Sequence, residues 1–139
     1  MGVGVAAAAV AGGLLLVPAV RRVEVEGGSM VPALRPGDRL VVVGRSRWSR
    51  LRASGRWPSI GEVVAVRDPR RADRLLVKRV GAVDRLEGTV TVVGDAPLST
   101  DSRAFGPVPR SSVVGRAVYR YAPPGRVGTG PWAEEYALA

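Results

Sequence analysis

Gly61-Glu62-Val63-Val64-Ala65-Val66-Arg67-Asp68-Pro69 decides the fold class. Turn-forming residues on each side enclose a short run dominated by β-branched valine. Val63 to Arg67 is too short for a helix and suits a strand. The same grammar continues outward. The turn Leu34-Arg35-Pro36-Gly37-Asp38 precedes a strand from Arg39 to Val43. Leu75 to Val80, Thr89 to Val93 and Val113 to Tyr121 read as further strands. Upstream, Val23 and Val25 alternate with Glu24 and Glu26 before the turn Gly27-Gly28-Ser29-Met30-Val31-Pro32. Short strands punctuated by Gly and Pro, with no soluble amphipathic helix, predict a mainly β domain over residues 21–121. About 100 residues suffice for one core. Residues 122–139 are rich in Pro and Gly and read as a flexible C-terminal tail.

Residues 3–20 differ from all of this. Val3 to Val20 is an uncharged run ended by Arg21 and Arg22, and Leu14 to Val17 make its second half the more apolar. As a helix it would be about 27 Å long, close to the hydrocarbon thickness of a bilayer. Gly4, Gly12, Gly13 and Pro18 weaken a helix in water but are tolerated in lipid. A cleavable signal peptide needs a basic stretch before a shorter apolar core. Nothing basic precedes Val3 except the terminal amine, so a retained single-pass anchor is expected. Arginines directly after the segment favour the domain on the cytoplasmic face.

Net charge is +9 and the pI 11.4, which calls for an anionic partner. Aromatic residues make up 5% of the chain, too few for base-stacking platforms, and no nucleic-acid motif is present. A bilayer with anionic headgroups is the expected partner rather than nucleic acid. Five arginines between Arg45 and Ser59 surround Trp48, Leu51 and Trp57. That mixture suits the headgroup level of a membrane, and equally a solvated loop.

Missing residue types constrain the chemistry. The chain has no His and no Cys, which excludes a Ser-His-Asp triad, a thiol nucleophile and imidazole or thiolate metal ligands. No metal or cofactor is expected. A hydroxyl activated by lysine remains. Lys78 is the only lysine among 21 basic residues. A guanidinium cannot give up its proton in a protein, whereas a desolvated amine can. In the strand Leu75–Val80, period two puts Lys78 on the face of Leu76 and Val80, which would lower its pKa. An edge lysine reaching to water has the same pattern. Ser29 follows two glycines that permit close backbone approach, although most Gly-Ser pairs are only turns.

Three stretches together resemble the type I signal peptidase family. Ser29-Met30-Val31-Pro32-Ala33-Leu34 is similar to its nucleophile box, and Leu76-Val77-Lys78-Arg79-Val80 to its general-base box. Gly94-Asp95, Ser99-Thr100-Asp101-Ser102-Arg103 and Phe105-Gly106-Pro107-Val108-Pro109 are similar to its C-terminal box. Ala33 stands where the family usually has threonine, Ala96 where it has asparagine, and Gly27 where some members carry a serine. The resemblance implies a mainly β fold of coiled sheets, shared with LexA-type self-cleaving repressors. It implies Ser29 as nucleophile, Lys78 as general base and Ser99 as the group orienting the lysine amine. Asp101 and Arg103 would form a supporting ion pair, and Met30 and Pro32 would contact substrate. The substrates implied are precursor leader peptides cut after small residues, with the domain on the extracytoplasmic face. The compact form is also similar to proteases that mature a cytoplasmic nickel-type superoxide dismutase precursor. A catalytically inactive, basic membrane-surface binder is the third reading.

Overall fold

The computed structural model describes residues 20–45, 58–97 and 99–129. Seven strands occur among them: β1 (Val20–Glu24), β2 (Arg39–Gly44), β3 (Val63–Asp68), β4 (Arg71–Asp84), β5 (Thr89–Val93), β6 (Val108–Pro109) and β7 (Val113–Ala122). They form one sheet in the order β1-β2-β7-β3-β4-β5-β6, with every neighbouring pair antiparallel. The protein is thus mainly β, as its valine runs require. One short helix interrupts it, α1 (Ser102–Phe105), capped by the Asp101 side chain on the Arg103 amide. That single turn has no apolar periodicity to betray it.

β3 explains how a strand can be apolar without alternating. Val63 and Ala65 pack on one side with Leu34, Leu40, Val42 and Val77. Val64 and Val66 pack on the other with Leu76, Val80, Val90 and Val92. Two apolar clusters therefore cover opposite faces of the central strand, and all four residues are buried. β4 begins before the expected Leu75, because Asp68 turns the chain by accepting from the Arg70 amide.

The expected anchor at residues 3–20 lies outside the described residues, apart from Val20, which opens β1. Among the described residues no helix is long and apolar enough to cross a membrane. The Trp-Arg stretch is likewise outside them, except Arg45, Pro58 and Ser59. Within the expected tail, Ala122–Thr129 are held against the domain. A 3-10 turn at Pro124–Arg126 brings Arg126 to Asp38, donating to both carboxylate oxygens at 3.1 and 3.0 Å. Arg120 adds a bond to the same carboxylate at 3.2 Å and another to the Ala33 carbonyl at 3.1 Å. Gly128 bridges back to Arg120. Arg126 from the first part of the expected tail and Arg120 from β7 thus converge on one buried carboxylate, and residues 130–139 of that tail lie outside the described residues. Asp38 ends the loop that carries Ser29, so this clasp sits behind that loop.

Candidate active site

The chain leaves β1 and makes a closed loop. Val25 donates to the Asp38 carbonyl at 2.8 Å, and Gly37 donates to the Val25 carbonyl at 2.9 Å. Inside the loop, Val31 donates to the Gly28 carbonyl and Leu34 to the Met30 carbonyl. Met30 is 1% exposed and packs in the core. Its burial fixes the turn from below and leaves the half-buried Ser29 beside a cleft. Neither Met30 nor Pro32 lines that cleft; Pro32 is exposed to solvent. The Met30 side chain packs in the core and anchors the turn.

The cleft has a volume of about 1110 Å³, and Ser29 and Lys78 both line it. One wall is β1 and its continuation through Gly28; the other is β4. Ser99 and Thr100 line it as well. Lys78 is 3% exposed. Burial pushes its amine below the ordinary lysine value, against the opposing pull of the Asp101 carboxylate. Leu76 and Val80, its neighbours on the same face, belong to the second apolar cluster.

Gly94 is where the C-terminal segment meets the nucleophile turn. A Cβ there would lie 2.2 Å from Ser99 Oγ and 2.6 Å from the Ser29 carbonyl oxygen. Only glycine permits such an approach. Two residues on, the Ala96 amide donates to the same Ser29 carbonyl at 2.8 Å. Ala96 holds the turn through its backbone, so the missing asparagine side chain is not needed for that contact.

Asp101 organises the rest. Its Oδ2 accepts from the Gly94 amide at 2.7 Å, from Ser99 Oγ at 3.0 Å and from Arg103 Nη2 at 2.6 Å. Its Oδ1 accepts from the Arg103 amide at 2.9 Å and from Nε at 3.0 Å. Burial pushes the carboxyl up, but Arg103 and the Gly94 amide outweigh it and hold the group far below the carboxylate range. The ion pair is buried only on the Asp101 side; the Arg103 side chain is about half exposed. Ser99 Oγ donates to Asp101 and accepts from Arg103 Nη2 at 3.0 Å, which leaves one lone pair on the hydroxyl. No hydrogen bond joins that amine to a described residue.

A second ion pair had no counterpart in the sequence reading. Arg79, next to Lys78, meets Asp95 through two bonds of 2.9 Å and reaches the Gly61 carbonyl at 2.8 Å. Both side chains are almost fully buried. The pair locks β4 to the segment after β5 and so fixes the strand bearing the lysine. Its sequence signal was the charged residue beside each box residue: Arg79 after Lys78, Asp95 after Gly94. Among the described residues, no group of three or more acidic side chains is placed to hold a metal ion.

An antiparallel sheet thus presents Ser29 and the buried Lys78 to one cleft. The family model for signal peptidase, peptidase S26, matches residues 1–84 and 86–122. The mitochondrial ATP-independent inner membrane protease subunit 1a of Arabidopsis thaliana is 35% identical over 128 residues, covering 76% of this chain and 73% of that one. Subunit 1b of the same organism is 30% identical over 118 residues, covering 70% and 67%. Subunit 2 is 34% identical over 90 residues, covering 48% and 42%. The chain belongs to the signal peptidase, peptidase S26, family.

Proposed function

We propose that this protein is a membrane-anchored serine endopeptidase that removes N-terminal signal or leader peptides after small residues, of the Ala-x-Ala type. The observation that carries this reading is the shared cleft: Ser29 and the buried Lys78 line it together, with Ser99 beside them. In the reaction, the neutral Lys78 amine takes the Ser29 hydroxyl proton as Oγ attacks the scissile carbonyl. The Ser29 amide donates to the oxyanion. The lysine then gives its proton to the departing amine, leaving an ester on Ser29. Water, deprotonated by the regenerated neutral amine, hydrolyses that ester. Ser99 orients the amine, and the Asp101–Arg103 pair holds Ser99.

The walls suit an extended peptide. Among the described residues β1 is the edge of the sheet and pairs with β2 alone. β4 pairs with β5 from Arg79 onward, so its Arg71–Lys78 half has one edge without a strand partner among the described residues. Both backbones face the cleft, and a substrate strand can pair with each. Val25, Leu76 and Val77 supply apolar wall between them, fit for small side chains. The uncharged run at residues 3–20 serves as the anchor, with leader peptides and anionic headgroups as partners. Processing on the extracytoplasmic face is the reading preferred here. Arg21 and Arg22 after the apolar run favour a cytoplasmic domain, and with it maturation of a dedicated cytoplasmic precursor.

The test is Lys78→Arg. Arginine keeps the charge and much of the length but cannot surrender a proton. Cleavage of a peptide with Ala at the first and third positions before the bond should fall by about 10²–10⁴, as far as with Lys78→Ala, with circular dichroism unchanged. Retention of more than about a tenth of the rate is incompatible with a general base at Lys78.

A further inference from the structure

The cleft extends well past its chemical end. Arg22 stands seven residues before Ser29 on one wall, and Arg74 four residues before Lys78 on the other. In the sheet order, β1 and β4 run in the same direction, both toward Ser29 and Lys78. The two guanidinium groups therefore lie on opposite sides of the outer half of one groove.

The charges around them are mostly committed elsewhere. Arg70 is turned to Asp68, at 3.0 Å from both carboxylate oxygens. Glu24 pairs with Arg39 at 3.5 Å, and Asp73 with Arg71 at 3.6 Å. Arg22 and Arg74 form no ion pair with a described residue. Glu26 also lines the cleft, but it is nearer to Ser29 in the chain. The outer groove thus presents two cations without an ion-pair partner among the described residues, one from each wall, and the Arg74 charge also acts on the buried Asp68.

We infer that the outer half of the cleft is a charge-reading subsite, in which Arg22 and Arg74 select leaders with a carboxylate about four to seven residues before the scissile bond, at about 3.3 Å per extended residue. The inference rests on the peptidase reading above. The leader side is assigned because a leader is extended, whereas the chain after the bond belongs to a protein that folds and cannot enter a groove between two strands. Exposed ion pairs are individually weak, so the selection is a modest factor that falls with salt.

The experiment uses the full chain and fluorogenic peptides identical around the bond, with Glu, Gln or Lys at each of the fourth to seventh positions before it. For the wild type, kcat/KM should fall from Glu to Gln to Lys by about threefold per step at low salt, and the steps should shrink in 0.5 M salt (roughly a 4 Å screening length). Arg22→Glu with Arg74→Glu should reverse the order, the Lys peptide becoming the best and the Glu peptide the worst. Equal rates for the three peptides, or an order unchanged in the double variant, overturn the subsite. So does a double variant that keeps the order but binds less to vesicles of anionic phospholipid, because the arginines then serve a lipid surface. A wild type that fails to cut even the Gln peptide overturns the peptidase reading itself, and the subsite with it.

Discussion

At the residue scale, Lys78 is set apart by a lowered pKa and by what surrounds it. Burial depresses the amine, Asp101 pulls it up and Arg103 pushes it down again. Activity that needs the neutral amine should rise with pH through that lowered value. Arg103→Gln removes a neighbouring positive charge and releases more of the Asp101 field, so the acid limb of kcat/KM should move to higher pH. A shift to lower pH would contradict the electrostatics described here. Folding should report the same group with opposite interest. An amine whose folded pKa lies below its unfolded one destabilises the fold most at low pH, and the penalty fades as pH rises through the folded pKa. Lys78→Met should therefore abolish cleavage yet raise Tm by about 3–6 °C, more at pH 6 than at pH 9. A lower Tm at both pH values would mean the amine makes stabilising contacts.

At the element scale, the informative contact is between the segment after β5 and the nucleophile turn. Gly94→Ala puts a methyl where Ser99 Oγ and the Ser29 carbonyl already sit. One of them must move, and each belongs to the site. Overpacking of this kind costs about 1–3 kcal/mol, and kcat should fall by at least tenfold with KM little changed, measured beside a urea melt. Wild-type kcat would show that the contact does not position the serine. Much of this was legible beforehand. The β3 and β5 strands begin where their valine runs begin, because β-branched residues bounded by turns leave little choice. Lys78 could be placed on an apolar face by parity alone. What could not be read was partnership. Arg79 and Asp95 are 16 residues apart, and only strand register brings them together. The core packing of Met30 with Leu34 and Leu40 was likewise not legible from its place beside Ser29. The one-turn helix Ser102–Phe105 exists because Asp101 caps it, a local hydrogen bond without periodic pattern.

At the scale of the whole molecule, three buried carboxylates each hold arginine, two of them locally and one across the chain. Asp101 joins the C-terminal segment to itself, Asp68 closes the β3–β4 turn on Arg70, and Asp38 receives Arg126 and Arg120 from the far end of the chain. Burial pushes the Asp38 carboxyl up, but hydrogen bonds from Arg126 and the Arg35 amide hold it below the usual range. The Arg70 bond does the same for Asp68 against burial. Groups with depressed folded pKa values stabilise above the unfolded pKa and lose that contribution as pH falls through the folded one. The contribution of these carboxylates to stability should therefore be level above about pH 5 and drop below about pH 4, as a chemical denaturation series on the Lys78→Met variant would record. Arg126→Ala should remove about 1–3 kcal/mol at neutral pH and less at pH 3. An equal loss at both pH values would mean that Arg126 acts by packing, not through the Asp38 charge.

The two open backbone edges have a consequence for inhibitor chemistry. A peptide that pairs with one edge uses only every second amide, since successive residues point their N–H groups to opposite sides. In the proposed binding mode, between β1 and β4, the alternate amides would have a partner too. N-methylation at a single position would then weaken a substrate-derived inhibitor wherever it is placed along the inner groove, instead of sparing alternate positions. A scan of methylated analogues would show a plateau of lost affinity, not a sawtooth, and that profile would distinguish a strand held on both sides from one held on a single side.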